Sequence, residues 1–222
     1  METFSFDVGA IRCTAVNDGE ARYDARDYVI NAPEAAVDKA VRGHGLDPTE
    51  IPSPYSGLVI DSGTRRVLVD TGAGDLTPRV GRLRRNLIAA EIAPVSIDTV
   101  VITHGHPDHL GGNVDDAGRI AFSAARWVLG RREWEFWTDE TELARLPNVM
   151  GEWSRRNLGP LRDRVELVET EFEVATGVSV IASPGHTPGH VAVAVRSEGA
   201  ELLYVSDAAL HPIHLEHPGW RP

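Results

Sequence analysis

Residues 102–112 read ITHGHPDHLGG and continue directly from the apolar run Val100-Val101-Ile102. His104, His106, Asp108 and His109 therefore fall within six positions, at the end of a segment that reads as a buried strand. A strand that ends in a turn delivers the following side chains into the crevice at its tip, and residues at i and i+2 on extended backbone point the same way. His104 and His106 are spaced to chelate one ion, while Asp108 and His109, beyond Pro107, can turn toward a second position. Gly105, Gly111 and Gly112 let the backbone bend around such a site. Imidazole and carboxylate suit zinc, and also manganese or iron. A catalytic ion keeps an open position, so four adjacent ligands exceed what one ion takes, and two ions sharing a water fit better. The competing reading is a solvated polar loop, and the packing against an apolar strand argues against it.

The rest of the chain supplies a scaffold for that tip. Ile11–Asn17 alternates as a strand, Asn31–Glu34 starts a helix that stops at Gly43–Gly45, and Gly57–Asp61 with Arg66–Asp70 forms a hairpin. Val80, Leu83, Leu87, Ile88 and Ile92 fall at helical spacing, and residues 124–158 read as helical with a break at Pro147. Four more strands are expected at Val165–Val168, Val178–Ile181, His190–Val195 and Leu202–Val205. The order of strands, helix, strand, helices and strands predicts two sheets with helices outside them rather than one parallel sheet. Two further pieces place ligands at strand ends: His186, in Ser183-Pro-Gly-His-Thr-Pro-Gly-His190, and Asp207, in Tyr204-Val-Ser-Asp207.

Taken together, these three pieces resemble the metallo-β-lactamase superfamily in its hydrolase form. His-x-His-x-Asp-His stands as His104, His106, Asp108 and His109, the later histidine as His186 and the aspartate that bridges the ions as Asp207. Leu68-Val-Asp-Thr-Gly72 matches another common family element. The resemblance implies an α/β fold, the αβ/βα four-layer sandwich, as one domain over 1–222. Its N-terminal half would span about 1–122, its helical segment 123–160 and its C-terminal half 161–222. It also implies two zinc ions, with His104, His106 and His186 on the first and Asp108, His109 and Asp207 on the second. A metal-bound hydroxide would be the nucleophile and Asp108 would act on the proton. Asp70 would brace the ligands from behind, and His190 would add a hydrogen bond beside them.

His106 speaks against the flavodiiron branch, which has glutamate there, and Asp207 against the classical lactamases. The features left over look most like the lactonase and methyl-parathion-hydrolase-like branch. Acyl-homoserine lactonases place a tyrosine soon after the bridging aspartate, where this chain has Ala208, Ala209, Leu210 and His211. The family also completes its second site with a further histidine downstream, while the sequence stops at Pro222. The C-terminal part is therefore expected to be incomplete, with His211, His214 or His217 as a substitute ligand or pocket residue, and a homodimer is expected to cover the opened edge.

The expected substrate is a small-molecule ester, lactone or phosphoester. Alternatives are an inactive binding protein of this fold, a nuclease, or a persulfide dioxygenase with one iron. A net charge of −11 argues against a nucleic-acid partner. Cys13 is the only cysteine, which leaves no internal disulfide. The N-terminus lacks a signal-peptide pattern and no apolar run reaches membrane-spanning length, so a cytoplasmic protein without a membrane partner is expected. The tryptophans are expected to pack helices on the sheet, the sharper idea being that Trp134 or Trp137 lines a pocket. His44, Arg131-Arg132 and Arg155-Arg156 are expected to be solvated.

Overall fold

The computed structural model describes residues 2–222. Two β-sheets face one another. The first holds seven strands in chain order: β1 (Thr3–Val8), β2 (Ile11–Tyr23), β3 (Ile51–Asp61), β4 (Arg66–Val69), β5 (Thr99–Ile102), β6 (Arg126–Gly130) and β7 (Val165–Val168). Strands β1 to β4 pair antiparallel, and β4 to β7 pair parallel. The second is antiparallel and holds β8 (Phe172–Ala175), β9 (Val178–Ala182), β10 (Val191–Ser197) and β11 (Ala200–Tyr204), in the order β11-β10-β9-β8.

Helices α1 (Ala25–Tyr28) and α2 (Glu34–Gly43) lie between β2 and β3, and α3 (Leu83–Ala89) between β4 and β5. The one-turn helix α4 (Pro107–Leu110) follows β5. Then α5 (Arg131–Thr138), α6 (Glu140–Leu143) and α7 (Asn148–Leu158) join β6 to β7, and α8 (Ile213–Glu216) follows β11. No helix is long and apolar enough to cross a membrane among the described residues.

The apolar residues sort into layers as the strand period requires. Cys13, Ile60, Val67, Val69, Val101 and Val128 face Val178, Val180, Val193 and Val195 between the sheets. The alternate residues Val59, Leu68, Val100, Ile102, Trp127 and Leu129 point the other way, onto Leu83 and Leu87 of α3 and Trp134, Trp137 and Leu158 of the later helices. Strand β5 is buried along its whole length, as a central parallel strand covered on both faces must be. A third cluster joins α1, α2 and α8 through Tyr28, Val37, Val41, Ile51 and Ile213.

The N-terminal half of β3 pairs only with β2, because β4 begins opposite Asp61 and ends opposite Leu58. Pro52 and Pro54 sit in that half, where their missing N–H groups face no strand. The two strands thus run on as a ribbon beyond the sheet, with a bulge between Asn17 and Gly19.

The two-sheet expectation agrees with this architecture, but several elements differ. The helical reading of 124–158 contains strand β6. Trp127-Val-Leu129 is a short apolar run, and burial on both faces removes the alternation that would mark it as a strand. Strands β1 and β8 were not anticipated, and β2 and β3 are longer than their alternation suggested. Helix α3 omits Val80 and Ile92, although both stay on the apolar side of the segment, Val80 buried and Ile92 packed on the core. Trp137 is core, not pocket, and so is Trp134. The arginines are solvated as expected, Arg132, Arg155 and Arg156 exposed and Arg131 partly so, with surface ion pairs from Arg131 to Glu169, Arg155 to Glu140 and Arg156 to Asp75.

Candidate metal centre

Strand β5 ends at Ile102, and the chain turns through Thr103, His104 and Gly105 into α4, with Pro107 at the first helical position. His106 precedes that helix in extended conformation, and Asp108 and His109 occupy its only turn. The Ser183–His190 loop between β9 and β10 brings His186 to the same place, and a short 3-10 turn, Ser206–Ala208, brings Asp207. These six residues, separated by up to about a hundred positions in sequence, form two clusters that share Asp207.

In the first cluster, His106 Nδ1 is 3.1 Å from His104 Nε2 and 2.9 Å from His186 Nε2. Asp207 Oδ2 lies 3.8 Å from His104 Nε2 and 3.5 Å from His186 Nε2. In the second, His109 Nε2 is 3.4 Å from Asp108 Oδ2 and 3.3 Å from Asp207 Oδ1. Zinc–nitrogen and zinc–oxygen bonds of about 2.0–2.1 Å at tetrahedral angles put neighbouring ligand atoms about 3.3 Å apart. The observed separations bracket that edge length. The donor chemistry and the geometry both fit a pair of divalent cations with one oxygen of Asp207 toward each.

The electrostatics divide the cluster. Burial, reinforced by His109 and the other imidazoles, holds the His104 pKa well below the usual histidine range. Burial and then His186 push His106 down to about 4. His109 differs: burial opposes its protonation, but Asp207, Asp108 and Asp70 outweigh burial and raise its pKa. The same contacts, chiefly with His109, overcome burial to lower Asp108 and to hold Asp207 down to about 2. His104 and His106 thus present neutral imidazoles to the first cluster, while the second is an imidazolium among carboxylates that a cation would replace.

The surrounding groups fix these side chains. Asp70, buried at the end of β4, accepts from Thr103 N at 2.8 Å, Thr103 Oγ1 at 2.9 Å and His109 Nδ1 at 2.8 Å. Its last bond leaves His109 Nε2 pointing at the second cluster. His190 is buried, with Nδ1 2.8 Å from Ser183 Oγ and its ring 5.1 Å from that of His104.

Two positioning carboxylates escaped sequence reasoning. Glu133, fully buried on α5, accepts from Gly105 N at 2.8 Å, Trp137 Nε1 at 2.6 Å and Gly189 N at 2.8 Å. It clamps the loop of His104–His106 to the loop of His186. A side chain at Gly105 would strike the Trp137 indole, so this contact needs glycine. Asp18, buried at the bulge of β2, accepts from Ala73 N, Gly81 N and Leu83 N at 2.8–3.1 Å and ties down the loop after Asp70. Glu133 stands in a run of charged and aromatic residues that resembles an amphipathic helix, and nothing in the sequence marks which acid turns inward.

The late histidines lie apart from the clusters. His211 stacks edge-on against His44 at 4.9 Å and Tyr28 at 6.3 Å, and His214 Nε2 donates to the Tyr28 carbonyl at 2.9 Å. His217 stacks on Trp220. His44 is only partly solvated, pairing with Glu216 at 3.1 Å. A cavity of about 640 Å³ opens beside both clusters and touches His106, Asp108, His109, His186 and Asp207. Its walls are Tyr23, Tyr28, Tyr55 and Tyr204 with Leu202, Leu203, Leu210 and His211, which is thus a pocket residue and not a substitute ligand, and no arginine or lysine lines it. None of these tyrosines had been singled out in the sequence.

The fold is thus a two-sheet α/β sandwich with a His/Asp cluster at the strand ends that could hold metal. The metallo-beta-lactamase superfamily model matches residues 51–219, and the chain belongs to that superfamily. It is 33% identical over 185 residues to a beta-lactamase-like protein 2 homolog of Drosophila melanogaster, covering 82% of this chain and 56% of that protein. It is 23% identical over 203 residues to an N-acyl homoserine lactonase of Bacillus cereus, covering 81% of this chain and 73% of the lactonase. The chain thus spans a little over half of the first relative and about three quarters of the second. Among solved structures, the hydrolase AbOPH superposes with a TM-score of 0.87 at 22% identity, covering 99% of this chain and 78% of that one. The dizinc quorum-quenching lactonase AidC, bound to N-hexanoyl-L-homoserine product, gives 0.83 at 20% identity, covering 97% and 78%.

Proposed function

We propose that this chain carries the active site of a metal-dependent hydrolase acting on a small, uncharged ester, lactone or phosphoester. The observation that carries the reading is the bridging position of Asp207, with one oxygen toward each cluster. His104, His106 and His186 would hold the first cation, Asp108 and His109 the second, and Asp207 both. Two zinc ions fit this donor set. Bound there, such a pair supplies Lewis acidity that acidifies a water and draws charge onto a carbonyl or phosphoryl oxygen.

The chain's own groups do the rest. Asp108, ionised beside His109 and open to the cavity, accepts the proton released by the attacking water and returns it to the leaving oxygen. Asp70 keeps His109 in the tautomer with a free Nε2. Three protein ligands in the second cluster leave room for a water and a substrate oxygen. The leucine- and tyrosine-lined cavity suits an apolar acyl or alkyl group. The absence of arginine and lysine from its lining disfavours a nucleic-acid substrate, which needs phosphate partners.

The test is metal content and turnover together. Protein loaded with zinc and dialysed is expected to retain about two equivalents. It should then hydrolyse at least one of 4-nitrophenyl butyrate, a medium-chain γ-lactone, N-hexanoyl homoserine lactone or a 4-nitrophenyl phosphotriester. Retention of no metal would overturn the reading, and so would full loading without turnover of any of the four. An iron signal with oxygen uptake on glutathione persulfide would replace it with dioxygenase chemistry.

A further inference from the structure

We infer that the Tyr55 hydroxyl, backed by Tyr23, is the hydrogen-bond donor that stabilises negative charge on the substrate oxygen at the cleaved centre. The inference rests on the hydrolase reading above and assigns to it a residue outside the cluster.

The argument begins with the ribbon. Tyr23 lies opposite Ile51, and Tyr55 is four residues further along β3, so both side chains stand on the same face of the β2–β3 extension. Pro52 and Pro54 alternate with Ile51, Ser53 and Tyr55, which keeps the aromatic face directed to one side. That face forms a wall of the cavity whose floor carries His106, Asp108, His109 and Asp207. The rings of Tyr23 and Tyr55 lie 6.5 Å apart and their hydroxyls are hydrogen-bonded to one another.

Two phenols hold two protons, and their mutual bond uses one. The other is left without a protein partner, because neither hydroxyl has a further one among the described residues. That free proton is assigned to Tyr55, with Tyr23 as the donor in a bond that either phenol could donate. An O–H that already accepts a hydrogen bond is polarised into a stronger donor. The other tyrosines of the cavity are differently placed: Tyr28 is buried with its hydroxyl on Ser53, and Tyr204 reaches the Ser56 carbonyl at 3.4 Å. Burial and the nearby Asp108 carboxylate both raise the Tyr55 pKa, and burial raises Tyr23, so the pair stays protonated throughout the working range. Asp108 and Asp207 are acceptors only, so a phenol donor lining the same cavity would add a hydrogen bond to the charge stabilisation that the cations would supply. The residues after Asp207, Ala208 to His211, include no phenol to play this part.

Tyr55 is thus assigned as a catalytic residue that touches the reacting oxygen, and Tyr23 as a positioning residue that acts through it. Tyr55→Phe removes one hydroxyl and leaves the ring, so zinc content and melting temperature are expected to stay at wild-type values. With the best substrate of the panel above, its kcat should fall about 100-fold with little change in KM, the usual scale for one lost oxyanion donor. Tyr23→Phe should lower kcat by roughly 5- to 10-fold. The double variant should be no slower than Tyr55→Phe alone, because Tyr23 has no effect without its partner.

A Tyr55→Phe enzyme with kcat within threefold of wild type would overturn the inference. So would a loss that follows zinc content, a loss confined to KM, or additive losses in the double variant. A zinc-loaded wild type that turns over nothing overturns the hydrolase reading and this one with it. Wild-type turnover with an unaffected Tyr55→Phe overturns this one alone.

Discussion

Replacing Asp70 by asparagine separates the two halves of the centre. The side chain keeps its size, and its remaining oxygen can still accept from Thr103 N, now at 2.8 Å. Thr103 Oγ1 can rotate to accept from the new amide. His109 has no such escape. Its Nδ1, now 2.8 Å from Asp70 Oδ2, would face an NH₂ group and must turn from donor to acceptor. The proton then sits on Nε2, the nitrogen directed at Asp108 and Asp207. One charge-assisted buried hydrogen bond is lost, which costs about 2 kcal/mol of folding stability. The altered imidazole should weaken the second cation roughly 10- to 100-fold, or about 1.4–2.7 kcal/mol. The first cation, on His104, His106 and His186, should weaken clearly less than the second, since His104 meets Asp70 only through the Thr103 hydroxyl, 3.1 Å from its Nδ1, and His106 and His186 do not meet it at all. Stepwise zinc titration against a chromophoric chelator resolves the two affinities, and urea unfolding of the metal-free protein gives the stability term. Equal weakening of both ions, or of neither, would refute the reasoning that Asp70 acts through His109.

Other outcomes follow from the same geometry. Asp207→Ala removes the ligand common to both clusters, so retained zinc should drop to about one equivalent or less by elemental analysis. Glu133→Gln leaves Gly189 N, or else Gly105 N and Trp137 Nε1 together, facing an NH₂ group; unfolding titrations should show a loss of about 1–3 kcal/mol, with weaker zinc binding at His104, His106 and His186. Burial, against the pull of Asp207, holds the His190 pKa at about 4, so the unfolded chain gains a proton near pH 6.5 that the folded chain refuses until about 4. Its contribution is complete above pH 6.5 and is lost as pH falls through that window, by about 3 kcal/mol at the bottom, measurable as metal-free stability against pH with His190→Gln as the comparison. Because His109 begins protonated and the first three imidazoles include the neutral His104 and His106, calorimetry in buffers of different ionisation enthalpy should show more proton release for the ion that engages His109.

The ligand tip was readable from sequence because it is local. Four residues with metal-binding side chains follow a buried strand within one turn, and the geometry of a strand end brings them together. His186 and Asp207 were readable as strand-end residues, but their convergence on His104 depends on how the second sheet packs against the first. Strand β6 was hidden by its own burial, since Trp127-Val-Leu129 lacks alternation and stands next to strongly helical sequence. Glu133 and Asp18 read as ordinary surface acids; only their burial among unpaired backbone N–H groups gives them their roles. Tyr23 and Tyr55 stand thirty-two positions apart, and their meeting depends on the β2–β3 register, for which no local pattern exists.

The central claim is that these six side chains surround two cations that share Asp207. Crystals grown with zinc and measured at the zinc absorption edge test it most directly. The account predicts two anomalous peaks, one among His104, His106, His186 and Asp207, the other among Asp108, His109 and Asp207. Zinc bound elsewhere on the chain with no peak between these side chains would contradict it.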